Sequence, residues 1–167
     1  SNTSYALHEQ AGPHLWFLIL NLKEGPLQDK RVRQALNYAI NKQALVENVL
    51  QNTATVASGP TPAAFSWAYN DALQPYPYDP AKARELVKAA GAEGATLTFY
   101  VTEGGSGMLD PVPMGTAIQA DLKAIGLNVK IETYEWNTFL GKVNPGLEDK
   151  AWMTNDPDTL PFLALRT

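Results

Sequence analysis

An α/β fold is the class this 167-residue chain predicts, and three observations carry the prediction. Two β-rich stretches, Thr96–Thr102 and 127–133, flank a segment whose apolar residues recur at helical spacing, which makes a strand-helix-strand unit. Asp79-Pro80 opens a helix just ahead of the first of those strands, with Asp in the capping position and Pro at the first helical position. The apolar share, 45%, suffices for a packed core in a chain of single-domain length. One globular lobe, residues 1–167, is therefore expected.

The elements follow in order. His14-Leu15-Trp16-Phe17-Leu18-Ile19-Leu20-Asn21-Leu22 is a nearly continuous apolar run ended by Gly25-Pro26, and it predicts a strand buried on both faces. From Asp29, the residues Val32, Ala35, Leu36, Ala39 and Ile40 lay one apolar stripe on a helix. Asn41 caps a second helix running to about Gln51, with Leu45, Val46, Val49 and Leu50 packed on the first as a helical pair. Residues 52–78 hold Gly59-Pro60, Pro62, Pro75 and Pro77 among Trp67, Tyr69, Tyr76 and Tyr78, a proline density that excludes a regular helix. That stretch predicts an ordered surface crossing whose aromatics find somewhere to pack. The helix opened at Asp79-Pro80 turns Ala83, Leu86, Val87 and Ala90 inward and stops at Gly91.

The alternation in Thr96–Thr102 predicts a strand, followed by the loop Gly104-Gly105-Ser106-Gly107. A helix from about Val112 carries the stripe Met114, Ile118, Leu122 and Ile125 and stops at Gly126, and the alternation from Leu127 to Thr133 gives the next strand. Trp136–Val143 predicts a short helix, Asn144-Pro145-Gly146 a turn, Ala151-Trp152-Met153 a short strand, and Asn155-Asp156-Pro157-Asp158 a loop.

Composition excludes several classes of function. With 13 basic and 17 acidic residues, a formal net charge of -4 and only Lys30-Arg31-Val32-Arg33 as a basic stretch, nucleic acid is not an expected partner. The longest apolar run, Leu15–Leu20, falls far short of the roughly 20 residues a membrane-spanning helix needs. The opening Ser1-Asn2-Thr3-Ser4 shows no basic stretch leading into an apolar core, so the compartment is not read from it. The absence of cysteine removes disulfides and thiolate metal sites while leaving both cytoplasm and periplasm open.

Catalytic constellations are thin. The glycine loop lacks the spacing and lysine of a nucleotide-binding loop, although its N–H groups beside a helix start would suit a carboxylate or phosphate. Asp156 and Asp158 flank a proline, as turn-initiating aspartates do. His8 and His14 have no Glu or Cys at metal-site spacing, and Ser106 lacks a nucleophile elbow. Trp136 and Trp152 are placed where strand ends meet loops, the positions at which open α/β sheets hold ligands. An aromatic face offers large contact area with few rotamers to freeze.

Several stretches carry a resemblance to a known family. Asp29-Lys30-Arg31-Val32-Arg33-Gln34-Ala35-Leu36-Asn37-Tyr38-Ala39-Ile40-Asn41-Lys42 is followed by Tyr78-Asp79-Pro80-Ala81-Lys82-Ala83. Then come Gln119-Ala120-Asp121-Leu122-Lys123-Ala124-Ile125-Gly126-Leu127-Asn128-Val129, Tyr134-Glu135-Trp136, and Trp152 with Asp156-Pro157-Asp158. In this order, over about residues 13–165, they resemble the family 5 extracellular solute-binding proteins, the dipeptide, oligopeptide and nickel-chelate class. The resemblance implies a lobe of the type II periplasmic-binding-protein kind, with a mixed sheet flanked by helices. It matches the distal lobe, domain III, of a longer two-lobed clamp. It implies a peptide, opine or chelate as solute, an ABC permease as partner through the full-length protein, a monomer, no cofactor, and a periplasmic or extracellular place, membrane-associated through the importer.

Two departures bear on the ligand. The family's aspartate for a ligand ammonium has no counterpart among Met153, Thr154 and Asn155, and its arginine for a ligand carboxylate is replaced by Glu103, Gly104, Gly105 and Ser106. Both argue against a free zwitterionic dipeptide. The expected cleft wall is then Gly104, Gly105 and Ser106 as N–H or hydroxyl donors, Trp136 and Trp152 as apolar faces, and Thr154, Asn155 and Asp156 as polar orienters. Two rivals make other predictions. A hydrolase built on Asp156, Asp158 and His14 would lose turnover in Asp156→Asn, and a self-contained interaction domain would capture proteins through its exposed aromatics.

Overall fold

The structure, a computed structural model, describes His8 and residues 14–105, 108, 110–143 and 152–158. Its elements are β1 (Leu15–Leu20), α1 (Lys30–Ala39), α2 (Lys42–Ala44, continued by a wide π turn over Leu45–Val49), α3 (Pro80–Ala89) and β2 (Thr96–Thr102). They continue with α4 (Pro111–Ala124), β3 (Asn128–Tyr134), α5 (Trp136–Val143) and β4 (Trp152–Asp158). The strands form one mixed sheet in the order β1-β4-β2-β3. β2 runs parallel to β3 and to β4, while β1 and β4 are antiparallel. The mixed sheet flanked by helices is the architecture the sequence predicts.

Local chemistry starts and stops the helices. The Asp29 side chain accepts from the Arg31 N–H at 2.8 Å at the head of α1, and Asp79 accepts from the Lys82 N–H at 2.9 Å at the head of α3. Gly91 and Gly126 take φ of +67° and +90° just past α3 and α4, a left-handed turn that a side chain would oppose. The Arg31 guanidinium also donates to the Ala89 carbonyl at 2.7 Å, so it closes the tail of α3 onto the head of α1.

The main core lies on one face of β2. Leu97, Phe99 and Val101 pack there with Val32, Ala35, Leu36 and Ala39 of α1, Ala83 and Val87 of α3, and Ile118 and Leu122 of α4. On the opposite face Tyr100 joins Phe139, with Ile19, Tyr134, Trp136 and Leu140 packed around them. The period-2 alternation of a strand divides the two clusters.

Four expectations are corrected. β1 is not buried on both faces: all six residues are half-buried, because among the described residues β1 is an edge strand paired with β4 alone. α1 and α2 are not a helical pair; α1 packs along α3, and the π turn after α2 packs on α4. The second helix runs from Lys42 to Val49, close to the expected end, but of the expected stripe only Leu45 is buried, while Val46, Val49 and Leu50 are half-buried because its second half is a π turn, whose extra residue breaks the helical stripe. Asn155-Asp156-Pro157-Asp158 is not a loop but the second half of β4, opposite Phe17 and its neighbours in β1. Pro157 lies opposite Trp16 of β1, beyond Thr154, where the pairing of β4 with β2 ends, so it does not interrupt the paired stretch of that ladder.

The crossing at 52–78 is ordered by a few contacts. Tyr76 meets Tyr38 edge-on at 5.0 Å between ring centroids, and the Ser58 and Tyr69 hydroxyls are 2.8 Å apart. Trp67 meets the Phe65 ring at a tilt of 58° and 6.3 Å between centroids and is otherwise 87% exposed. The predicted turn at Asn144-Pro145-Gly146 lies outside the described residues. Among the described residues no helix is long and apolar enough to cross a membrane.

The α1 cap gives a pH prediction. Hydrogen bonds from Arg31 hold the Asp29 carboxyl at about 2, below the ordinary 3.8. The cap therefore contributes fully above the ordinary value, and its contribution is lost as pH falls through about 2. In thermal melts, Asp29→Ala is expected to unfold below the parent at neutral pH, with the gap closing toward about pH 2. A gap unchanged across that range would show that the ionised cap is not its source.

Candidate binding edge at the carboxyl ends of the parallel strands

β2 and β3 end side by side, with Thr102 opposite Tyr134. The ladder reaches one step further, since the Glu103 N–H donates to the Tyr134 carbonyl at 3.0 Å. The chain leaves β2 through the glycine loop toward α4 and leaves β3 through Glu135 into α5, so two connections converge at one sheet end. Such ends are where open α/β sheets hold ligands.

Each connection is held by its own hydrogen bonds. The buried Thr102 hydroxyl donates to the Gly104 carbonyl at 2.6 Å, and the Gly104 N–H returns to the Thr102 oxygen at 3.4 Å. The Met108 N–H donates to the Gly105 carbonyl at 3.1 Å. On the other side the Glu135 carboxylate accepts from the Asn137 and Thr138 N–H groups at 2.9 and 3.3 Å, which caps α5 and fixes Trp136 as its first residue.

Trp136 and Gly105 meet. A Cβ built on Gly105 would have indole Cε3 as its nearest atom and would lie 2.8 Å from both Cδ2 and Cζ3. Equal distances to the two neighbours of the nearest carbon place Gly105 over the ring face, since an in-plane approach would leave both much further away. Phe139, one turn on, lies nearly parallel to the indole at 19° and 5.7 Å between centroids. Tyr100 and Tyr134 meet edge-on at 5.7 Å, and the Lys142 ammonium stands 5.6 Å from the Tyr134 ring centroid. Hydrogen bonds from Lys130 and from the Tyr134 hydroxyl, the latter at 2.6 Å, hold the Glu132 carboxyl below its ordinary 4.5.

This edge offers aromatic surface and loop backbone. The Thr102 and Tyr134 hydroxyls already have acceptors, whereas the Gly105 N–H has no partner among the described residues. The start of α4 adds fewer donors than the sequence leads one to expect. Pro111 and Pro113 lack N–H groups, the Met114 N–H is taken by the Asp110 carbonyl at 3.1 Å, and Asp110 makes no side-chain cap.

Of the expected wall residues, Gly104, Gly105 and Trp136 come together here, and Ser106 lies outside the described residues. Trp152, Thr154, Asn155 and Asp156 are distributed along β4. Trp152 pairs with Thr98, four residues and so roughly 13 Å of strand before the end of β2. Thr154 pairs with Tyr100, which brings Asp156 level with Thr102, and Asn155 lies opposite Leu18 of β1. Register thus places Asp156 at the edge and Trp152 well behind it. Residues not singled out from sequence are Tyr100, Thr102, Tyr134, Glu135 and Phe139; the alternation of β2 and the i, i+3 spacing of Trp136 and Phe139 carry the signal for three of them. His14 is exposed and precedes Leu15, which pairs with Asp158. Among the described residues no three metal-ligating side chains gather.

The mixed sheet flanked by helices is the fold of solved periplasmic binding proteins, which places the chain in that class. The chain matches the model of bacterial extracellular solute-binding proteins, family 5 middle, over residues 1–166, and it belongs to that family. It is 36% identical to the dipeptide-binding protein of Escherichia coli K12 over 170 residues, covering 93% of this chain and 30% of that protein. It is 35% identical to heme-binding protein A of Haemophilus influenzae over 159 residues, covering 91% and 29%. Among solved structures it is similar to HbpA2 from Haemophilus parasuis, with a TM-score of 0.78 and 32% identity over 88% of this chain and 29% of the other. It is also similar to DppA from Helicobacter pylori in complex with the peptide STSA, with a TM-score of 0.75 and 32% identity over 87% and 27%. The chain spans about three tenths of the length of these curated relatives. These relatives are named as binding proteins.

Proposed function

We propose that this chain is one lobe of the solute-binding component of an ABC importer, and that the edge built by Gly104, Gly105, Tyr134 and Trp136 is one wall of a cleft for a peptide-like small molecule. The observation that carries the reading is the convergence of the glycine loop and the α5 start on one aromatic patch at the carboxyl ends of β2 and β3. The relatives named for dipeptides and heme support a small-molecule solute over a chemical transformation. Ser106 and Asp156 extend the proposed wall, while Asn155, Thr154 and Trp152 stand progressively further back along β4. The chain acts as the distal lobe of a larger monomeric receptor outside the cytoplasm, which meets its permease as the full-length protein, and it performs no catalysis.

A single wall leaves much of a bound solute in water, whereas enclosed sites cover some 70–90% of theirs. Affinity of the isolated chain for a peptide is therefore expected at ~1 mM or weaker. The test is an amide NMR titration with N-acetyl-alanyl-leucinamide and with free alanyl-leucine at millimolar concentrations. Shifts gathered at 102–105 and 134–140, at least as large for the blocked peptide, support the reading. Shifts centred elsewhere, or none with either probe, overturn it, and nanomolar binding by the chain alone overturns the single-wall picture.

A further inference from the structure

Gly105 differs from the glycine beside it. A Cβ at Gly104 would meet nothing within 4 Å, whereas one at Gly105 would overlap the face of the Trp136 indole. The contact joins two connections that leave different strands: the loop after β2 lies on a ring belonging to the first residue of α5. Neither side can move far alone. The loop is tied back by the Gly104 bonds to Thr102, and the start of α5 is tied down by Glu135 and by the Phe139 ring beside the indole.

We propose that Gly105 is the positioning residue for Trp136: with no side chain at 105 the loop backbone rests on the indole, and the size of residue 105 sets how far the indole stands from the end of the sheet. Position 105 thereby tunes the depth of the wall and its preference among solutes without needing to touch them. A contact within van der Waals range of a ring face has no slack, so even a methyl group must displace the indole or lift the loop. This rests on the reading of the edge as a ligand wall for its consequence in binding, but not for the coupling itself.

The experiment uses the whole chain labelled with 5-fluorotryptophan, whose four tryptophans give four fluorine resonances, with Trp136 assigned by its loss in Trp136→Phe. Gly105→Ala is expected to move the Trp136 resonance and leave those of Trp16, Trp67 and Trp152 in place, while Gly104→Ala moves none. The three unmoved resonances show that the variant is folded. In a Trp136→Phe background, Gly105→Ala should change the amide shifts of the loop less than in the parent, because the wide indole is gone. With N-acetyl-alanyl-leucinamide as probe, Gly105→Ala should change affinity several-fold. A Trp136 resonance unmoved by Gly105→Ala, or moved equally by Gly104→Ala, overturns the proposal. A moved resonance with an unchanged peptide response supports the positioning role and counts instead against the edge as a ligand wall.

Discussion

Phe99→Ala is expected to destabilise the chain by about 3–5 kcal/mol, the range for emptying a packed aromatic site. Phe99 is 0% exposed and lies in the middle of β2, the strand paired on both sides, with Ile131 across in β3 and Met153 across in β4. Its ring is among the nearest groups beneath Gly115 of α4. The neighbours that would have to collapse into the void, Leu97 and Val101, are held in the same strand by pairing with Val129 and Thr133 of β3, so the cavity would stay largely open. Domains of this size are stable by only about 5–15 kcal/mol, so the variant should be close to unfolding without any added denaturant. Urea melts give the measure: the midpoint should fall steeply at an unchanged slope, and Phe99→Leu should recover most of the loss. A loss below about 1 kcal/mol for the alanine variant would mean that this face of β2 is not the centre of the core.

What the sequence makes legible follows the range of the forces involved. The α3 boundaries are written in Asp79-Pro80 and Gly91, and those of β2, α4 and β3 in alternation, stripe and Gly126, because capping, φ preference and period act within a few residues. The partner of α1 is not local in this sense. A helix stripe says that a face is buried but not against what, and α3, some forty residues further on, takes the place that the neighbouring α2 was expected to fill. The same holds for β1, where an unbroken apolar run fits a central strand as well as an edge strand whose sides are partly covered. In the second half of β4, Asn, Asp and Pro favour a turn locally, whereas pairing with β1 overrides that preference. In the site, glycine and tryptophan were legible as residue types at strand ends, but the contact of Gly105 with Trp136 depends on the β2 and β3 ends being level. That is a matter of register, which no spacing within either segment reveals.

Gly115→Leu is expected to cost about 1–3 kcal/mol and to disturb the candidate site from the far side of the sheet. Glycine in the middle of a helix is itself unfavourable by roughly 0.5–1 kcal/mol relative to alanine, so its presence in α4 calls for a compensating contact. That contact is a close approach: a Cβ at Gly115 would lie 3.0 Å from Val101 Cγ2 and 3.6 Å from Phe99 Cε1, so α4 rests almost directly on the side chains of β2. The two substitutions available separate the effects. Gly115→Ala gains helix propensity and asks Val101 to yield by a few tenths of an ångström, so the two effects nearly offset. Gly115→Leu adds a branched side chain where there is no room for it, and α4 must lift or β2 must bend. Lifting α4 moves its first turn at Pro111, to which the glycine loop leads, and the loop carries Gly105 on the indole of Trp136. The fluorine resonance of Trp136 should therefore shift in Gly115→Leu and stay in place in Gly115→Ala, alongside a lowered urea midpoint for the leucine variant alone. Equal midpoints for the two variants would show that α4 does not rest on β2 at this position, and a stationary resonance in a destabilised leucine variant would show that the loop absorbs the displacement before it reaches the site.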